Sequence, residues 1–238
     1  MNDILSLSRM MQFGDSMLPV GAFAFSSGLE SAVQKGVVHD VETLRQYAHA
    51  ALEQAAKGDA VAVASATRAA LDADMEELIR IDHEVLYRKL NEENRTMTTR
   101  MGKKLAEMGV DITQDALIGK WLNIIKKGGT PGTYPVSLDV QFVAMGLSTR
   151  EKAESDMFGE VLAVHQYGVA MTILNASMRL MRISHIDMQR VLYSLTSHFD
   201  AMCRTAMRTP LDQMSNYAPM TDILAATHVQ AHVRLFMS

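Results

Sequence analysis

Apolar residues recur at every third or fourth position through most of this chain, and the residues that stop helices stand far apart. Only five prolines occur among 238 residues. The strict alternation of apolar and polar residues that indicates a half-buried strand is nearly absent. The spacing therefore predicts an all-α fold, and we expect a single-domain bundle of eight to ten helices over residues 1–238, packed around one buried central helix.

Helix start and stop signals give the first boundaries. Asp40 is a predicted N-cap, followed by an acidic first turn, and the helix that it begins ends at Gly58. Ser184 to Asp187 give a capping-box pattern that predicts the start of a later helix. The loop 126–132, with the sequence KKGGTPG, is the strongest turn signal in the chain. Residues 210–219 begin and end with proline, which predicts an irregular connector before a final helix in the C-terminal tail, about 221–238.

The central helix is predicted after a capping-box pattern at residues 148–151. One apolar face of this stretch is formed by Leu162, Val169, Ile173, Ala176 and Leu180. Because the opposite side is also small or apolar, we expect this helix to be buried. Residues 76–108 instead mix seven acidic with seven basic residues, which favours solvated helical faces.

Charge and cysteine content exclude several classes of protein. The formal net charge of −4 provides no positive field for a phosphate backbone, so we expect no nucleic-acid partner. Cys203 is the single cysteine and cannot form an internal disulfide, which favours a reducing compartment and a buried, structural thiol. The N-terminus lacks a secretory signal pattern and no run of about 18 apolar residues occurs. We therefore expect a cytoplasmic protein with no membrane partner.

Two patterns in the sequence are candidates for a catalytic centre. The glycines of the loop 126–132 lack the Lys-Ser/Thr pair that completes a phosphate-binding loop, so intrinsic NTP hydrolysis is not expected. His228 and His232 stand four residues apart and would share one face of a helix, as two metal ligands do. No third ligand stands nearby in the sequence. A metal-dependent hydrolase that uses His228 and His232 is therefore only the alternative hypothesis.

The shaped N-terminal segment, about 1–35, contains an apolar run broken by glycine and proline, which predicts a loop of defined shape rather than a simple helix. Asp15 and Ser16 can accept hydrogen bonds from nearby amides, and Pro19 restricts its own φ angle. Gly21 permits a positive φ or a close backbone approach, and Gly28 is expected to serve backbone geometry in the same way.

Residues 12–30, from Gln12 to Glu30 and reading QFGDSMLPVGAFAFSSGLE, closely resemble the N-terminal signature of the urease accessory protein F (UreF) family. Residues 228–238, reading HVQAHVRLFMS, resemble that family's terminal pattern, and Met178-Arg179-Leu180 resembles its basic-Leu pattern. Departures occur at Arg182 and Ser184, where the family often has proline and glycine. Two further departures from the family pattern are the polar residues Asp139 and Gln141. Residues 59–127 match no motif of the family.

The resemblance implies a non-enzymatic, all-helical scaffold for assembly of the nickel site of urease. The implied partners are UreD, also called UreH, the GTPase UreG, whose hydrolysis it would modulate, and through them the urease apoprotein. It also implies a homodimer within the complex. We expect no cofactor and no tight intrinsic nickel site.

The resemblance also assigns residues. Ser26, Glu30 and Arg179 are expected at the surface that meets the GTPase or the second protomer. For Arg179, a purely structural role at the negative end of the central helix is equally consistent with the sequence. The residues expected to order the tail against UreD are His228, Arg234, Leu235, Phe236 and Ser238.

Overall fold

The computed structural model describes residues 4–154, 159–228 and 234–237, and within these ranges the chain is helical with no strand. This confirms the all-α prediction. The helices are α1 Ile4–Gly14, α2 Leu29–Gln34, α3 Val41–Lys57, α4 Asp59–Leu71, α5 Met75–Tyr87, α6 Glu92–Thr113, α7 Ala116–Lys126, α8 Tyr134–Ala144, α9 Arg150–Glu154, α10 Gly159–Leu180, α11 His185–Thr196, α12 Phe199–Arg208 and α13 Pro219–His228. The described part of the chain has thirteen α-helices rather than eight to ten, because short helices such as α2 and α9 give weak periodic signals.

Local capping chemistry explains the boundaries that the sequence predicted. The Asp40 carboxylate accepts a hydrogen bond from the Thr43 amide at 2.8 Å, and a capping box begins α3. Ser184 and Asp187 form a second capping box at the start of α11. Helix α3 ends before Gly58 as predicted, and the connector 210–219 contains only one 3₁₀ turn before α13 begins.

Helix α10 is the central helix, as predicted. It packs against helices from both ends of the sequence, including α2, α3, α11 and α12, and ten of its residues are buried. Val161 and Leu162 near its start belong to one hydrophobic core, whereas Ala170, Ile173 and Leu174 belong to another. The central helix therefore connects two cores.

The two cores have different components. The first core is formed mainly by α4 to α8 and contains the fully buried Trp121. The second core is formed mainly by α2, α3, α11 and α12, and it also contains Phe236 from the C-terminal tail. Cys203 is buried, and burial raises the pKa of its thiol to about 11, as expected for a structural cysteine. Among the described helices, none is long and apolar enough to cross a membrane.

The loop after α7 is held by one buried carboxylate. Asp82 of α5 accepts hydrogen bonds from the Thr130 hydroxyl and the Gly132 amide, both at 2.6 Å, and from the amide of Thr133 at 2.8 Å. The Thr133 hydroxyl donates to the same carboxylate. We call Asp82 and its donors the loop clamp. Because the Gly132 amide points inward at Asp82, it is turned away from any phosphate outside the loop.

Candidate functional site

Three helix ends meet around the imidazole of His228. Its Nε2 lies 2.8 Å from a carboxylate oxygen of Glu30, and its Nδ1 lies 2.8 Å from a carboxylate oxygen of Glu93. All three side chains are buried. Glu30 and Glu93 stand in the first turns of α2 and α6, and His228 is in the last turn of α13, so each charge lies at the helix end that stabilises it.

This arrangement requires a proton on the imidazole. A neutral histidine donates through one ring nitrogen only, whereas His228 faces a carboxylate oxygen with both. Hydrogen bonds to Glu93 and Glu30 raise the pKa of His228 and outweigh the opposing effect of burial. The geometry and the raised pKa therefore favour an imidazolium held between the side chains of Glu30 and Glu93.

The C-terminal tail supplies further donors to the same cluster. The backbone amides of Leu235 and Phe236 donate to Glu30 at 2.8 and 3.1 Å. The Met237 amide donates to the Ala24 carbonyl oxygen at 2.7 Å. Residues 234–237 therefore lie directly on the N-terminal signature. We call Glu30, Glu93, His228 and these amides the tail clamp.

Arg179 closes the other side of the tail. Its guanidinium carbon lies 4.3 Å from the centroid of the Phe236 ring, in cation–π geometry, and its Nη1 donates to the Phe23 carbonyl oxygen at 3.3 Å. Phe236 is buried in the second core, while Arg179 remains exposed. The tail thus joins the end of the central helix to the N-terminal signature.

The expectation that Ser26 and Glu30 lie at the surface is wrong. Ser26 is fully buried, with its hydroxyl oxygen 3.4 Å from the Glu30 amide that donates to it, and Glu30 is only 2% exposed. The physical reason for the burial of Glu30 is that the tail amides of Leu235 and Phe236 dock on its carboxylate. Arg179 is exposed as expected. Of the residues expected to order the tail, Arg234 and Leu235 are exposed, whereas His228 and Phe236 are buried. Ser238 and His232 lie outside the described residues.

The signature loop has the predicted backbone geometry in part. Gly21 and Gly28 have φ angles of +92° and +79°, which favour glycine. The Asp15 carboxylate accepts a hydrogen bond from the Met17 amide at 2.8 Å, but Ser16 makes no hydrogen bond to the described residues. Pro19 is exposed in the loop.

Gln12 does not belong to the loop, because residues 12–14 form the last turn of α1. At Gly28, a Cβ atom would lie 2.9 Å from the Tyr47 hydroxyl oxygen and 3.0 Å from the Ala225 amide nitrogen. Glycine therefore allows α2 and α13 to approach closely at this point.

Sequence reasoning missed Glu93 and the polar residues around it. The solvated-face prediction for residues 76–108 is wrong for Asp82, Asn91 and Glu93, which are all buried. The Asn91 amide group donates to the Asp222 carboxylate at 3.0 Å, so α6 and α13 are joined beside the tail clamp as well. The sequence at Asn91 is typical of an N-cap. Its buried partner on α13, Asp222, is 131 residues away, so the sequence pattern does not indicate this contact.

The metal-dependent hydrolase hypothesis requires His228 as a metal ligand, and the structure does not support that role. Both ring nitrogens of His228 are engaged with carboxylates, so neither is available to an external metal without breaking the tail clamp. Within the described ranges no group of three or more His, Cys, Asp or Glu side chains is arranged to hold a metal ion. The structure therefore gives this alternative no support.

Comparison with known proteins agrees with the resemblance of the two terminal signatures. The family model UreF matches residues 38–196, more than half of the chain. Urease accessory protein UreF of Yersinia pseudotuberculosis serotype IB (strain PB1/+) is 52% identical over 230 residues, which is 97% of both chains. The proteins of the same name from Yersinia enterocolitica serotype O:8 / biotype 1B (strain NCTC 13174 / 8081) and Yersinia pestis (strain Pestoides F) are 53% and 52% identical over the same share.

Proposed function

This chain belongs to the UreF family of urease accessory proteins, and from that premise we propose that it is a non-enzymatic scaffold in the assembly of the nickel site of urease. It binds UreD (UreH) and the GTPase UreG, modulates the hydrolysis of GTP by UreG, and acts as a homodimer within a cytoplasmic complex with the urease apoprotein. The absence of a phosphate-binding loop from the sequence supports this division of labour, since the nucleotide chemistry then belongs to the partner.

The observation that carries the proposal is the composite surface made when the tail docks on the N-terminal signature. Phe23 is 71% exposed, Leu235 is 52% exposed and Met237 is 45% exposed, and all three lie along this junction. Arg179 and Arg100 stand beside them, and the Arg100 guanidinium contacts the Met237 sulfur at 3.8 Å. Exposed Phe, Met and Arg side chains are enriched where proteins bind other proteins.

Burial divides the assigned residues into two roles. Glu30 and His228 cannot touch a partner while the tail is docked, so they act by holding the tail in place. Arg179, Leu235 and Met237 are the side chains that face outward and contact the partner. A single surface thus includes residues that the resemblance assigns to the UreG side and to the UreD side.

The test is co-expression with UreD and UreG, followed by size-exclusion chromatography with light scattering. The variant Leu235→Asp places a charge at the centre of the composite surface, and the matched control is Ile112→Asp on α6. The two residues are similarly exposed, at 52% and 49%. Ile112 is twelve residues along α6 from Arg100, a separation of about 18 Å.

We expect the wild-type chain and Ile112→Asp to form the complex, and Leu235→Asp to lose at least one partner with its helicity unchanged. Removal of residues 234–238 should have the same effect. A Leu235→Asp chain that binds both partners as the wild type does would contradict the role of the composite surface. A wild-type chain that binds neither partner would contradict the proposed function itself.

A further inference from the structure

A cavity of about 160 Å³ lies beside the central helix, between α3, α6, α8 and α10. Most of its wall is apolar, and four of the nineteen methionines line it: Met97, Met101, Met171 and Met214. An apolar protein cavity of similar size, about 150 Å³, holds benzene. The space therefore suits one aromatic ring.

Two polar side chains on this wall have no protein partner. His165 of α10 is 2% exposed, its Nδ1 makes no hydrogen bond, and no described residue bonds its other ring nitrogen. The Tyr134 hydroxyl of α8 likewise makes no hydrogen bond to the described residues. The two ring centroids are 6.4 Å apart, and both residues line the cavity. Tyr134 is half-buried, whereas the unpaired Nδ1 of His165 is buried, which is costly unless a water or a ligand satisfies it.

Several other polar side chains along the cavity are paired with one another. Lys89 donates to both carboxylate oxygens of Asp59 at 2.6 Å, and the Gln54 side-chain amide donates to Asp222 at 2.9 Å. Ser16, Asn175 and Asn216 also line the cavity without a side-chain hydrogen bond to the described residues, but they are partly or fully exposed, whereas His165 is buried.

We propose that this cavity is a binding site for a small uncharged molecule with one aromatic ring and one hydroxyl group, held by Tyr134 and His165. The ring occupies the space lined by methionine, because thioether side chains adapt to irregular shapes and contact aromatic ring edges favourably. The hydroxyl group takes the hydrogen bonds that the protein leaves unmade. Phe23 of the composite surface also lines the cavity, but Tyr134 and His165, which hold the ligand, do not belong to that surface.

The charge of the site selects the ligand class. Burial lowers the pKa of His165 to about 4, so the imidazole is neutral at pH 7 and can either donate or accept. Burial also raises the pKa of the Tyr134 hydroxyl to about 12, which keeps that group protonated. Because both groups are neutral, neither of them offers a charged ligand an opposite charge.

The test uses phenol and toluene as probes, and NMR of the full chain with ¹³C-labelled methionine methyl groups. We expect phenol to shift the signals of Met97, Met101, Met171 and Met214. The signals of Met11, which is exposed on α1, and Met75, which is buried on α5, should stay unchanged. The Kd for phenol should be about 1 mM or tighter, as the best small ligands of this size allow. Toluene should bind roughly five-fold more weakly, since it lacks one hydrogen bond.

The variant Tyr134→Phe removes only the free hydroxyl, and Tyr193→Phe on the exposed face of α11 is the matched control. We expect Tyr134→Phe to weaken phenol binding roughly five-fold and to leave toluene binding unchanged, which also shows that the cavity is intact. Three results would overturn the proposal: no methionine shift up to 20-fold above the expected Kd, equal binding of phenol and toluene, or equal binding of phenol by Tyr134→Phe and the wild type.

Discussion

The loop clamp and the tail clamp both hold an irregular segment against the helical core, but they use different hydrogen-bond donors. In each, one buried carboxylate collects backbone amides and fastens an irregular segment to the helical core. The remaining donors of Asp82 are threonine hydroxyls, whereas those of Glu30 include the imidazole of His228. Hydroxyls and amides keep their protons across the physiological pH range, and an imidazole does not. The loop clamp therefore contains no imidazole donor, whereas the tail clamp depends on the protonation state of His228.

The two clamps also differ in the sequence separation between the groups that they join. Asp82 and the amides that it binds are about 50 residues apart in the sequence, and they stabilise the first core. Glu30 and the tail amides are more than 200 residues apart, and they close the second core over Phe236. A closure across that distance costs more chain entropy. We therefore expect the loop clamp to contribute more to global stability, and the tail clamp to open locally.

The largest effect is expected for Asp82→Ala. Two amides and two hydroxyls would lose their acceptor inside the protein, which should lower the free energy of unfolding by about 4 kcal/mol. Chemical denaturation followed by circular dichroism measures this change. The tail amides of residues 235–237 should keep their protection from hydrogen exchange under native conditions. A loss below 1 kcal/mol would show that the loop does not need its carboxylate.

A smaller global effect is expected for Glu30→Ala. The variant leaves the Leu235 and Phe236 amides and one nitrogen of His228 without an acceptor, at a cost of about 3 kcal/mol, of which local release of the tail recovers a part. Hydrogen exchange should show loss of protection at residues 235–237 and unchanged protection at Gly132 and Thr133. If both sets of amides lose protection together, the two clamps are not independent.

The smallest effect is the pH dependence of the tail. Because the carboxylates raise the pKa of His228, the contribution of the charged imidazole is complete below about pH 6.5, the value of an unperturbed histidine, and is lost as the pH rises through the higher folded-state pKa. Protection factors at residues 235–237, corrected for intrinsic exchange, should fall about ten-fold above that pKa, as expected for one charge-assisted hydrogen bond.

The loop clamp and a histidine variant provide the controls for that measurement. Protection at Gly132 and Thr133 should stay constant over the same pH range, because none of their partners is an imidazole. His228→Gln should lower the protection of the tail at pH 6 and remove its pH dependence. A wild-type tail whose protection does not change with pH would contradict an imidazolium at position 228.

Local chemistry allowed much of the fold to be predicted from the sequence. The caps Asp40 and Ser184 bond to residues three positions away, and the burial of α10 follows from its own composition. The tail clamp could not be predicted in this way, because Glu30 and Glu93 lie 198 and 135 residues from His228. The resemblance identified Glu30 as a site residue but gave the wrong exposure, since a motif gives positions and not the segment that covers them.

The long sequence separation between Glu30 and the tail amides has a consequence for the timing of biosynthesis. At 5–20 residues per second, the ribosome adds Leu235 about 10–40 s after Glu30. Glu30 and Glu93 lack the shared imidazole until His228 is added, and Glu30 lacks the tail amides until Leu235 and Phe236 follow, whereas the residues of the first core, which end at Met214, are added before all of these. The composite surface therefore forms only after residues 234–237 have been added, and a partner that requires it selects chains that include these residues over shorter ones.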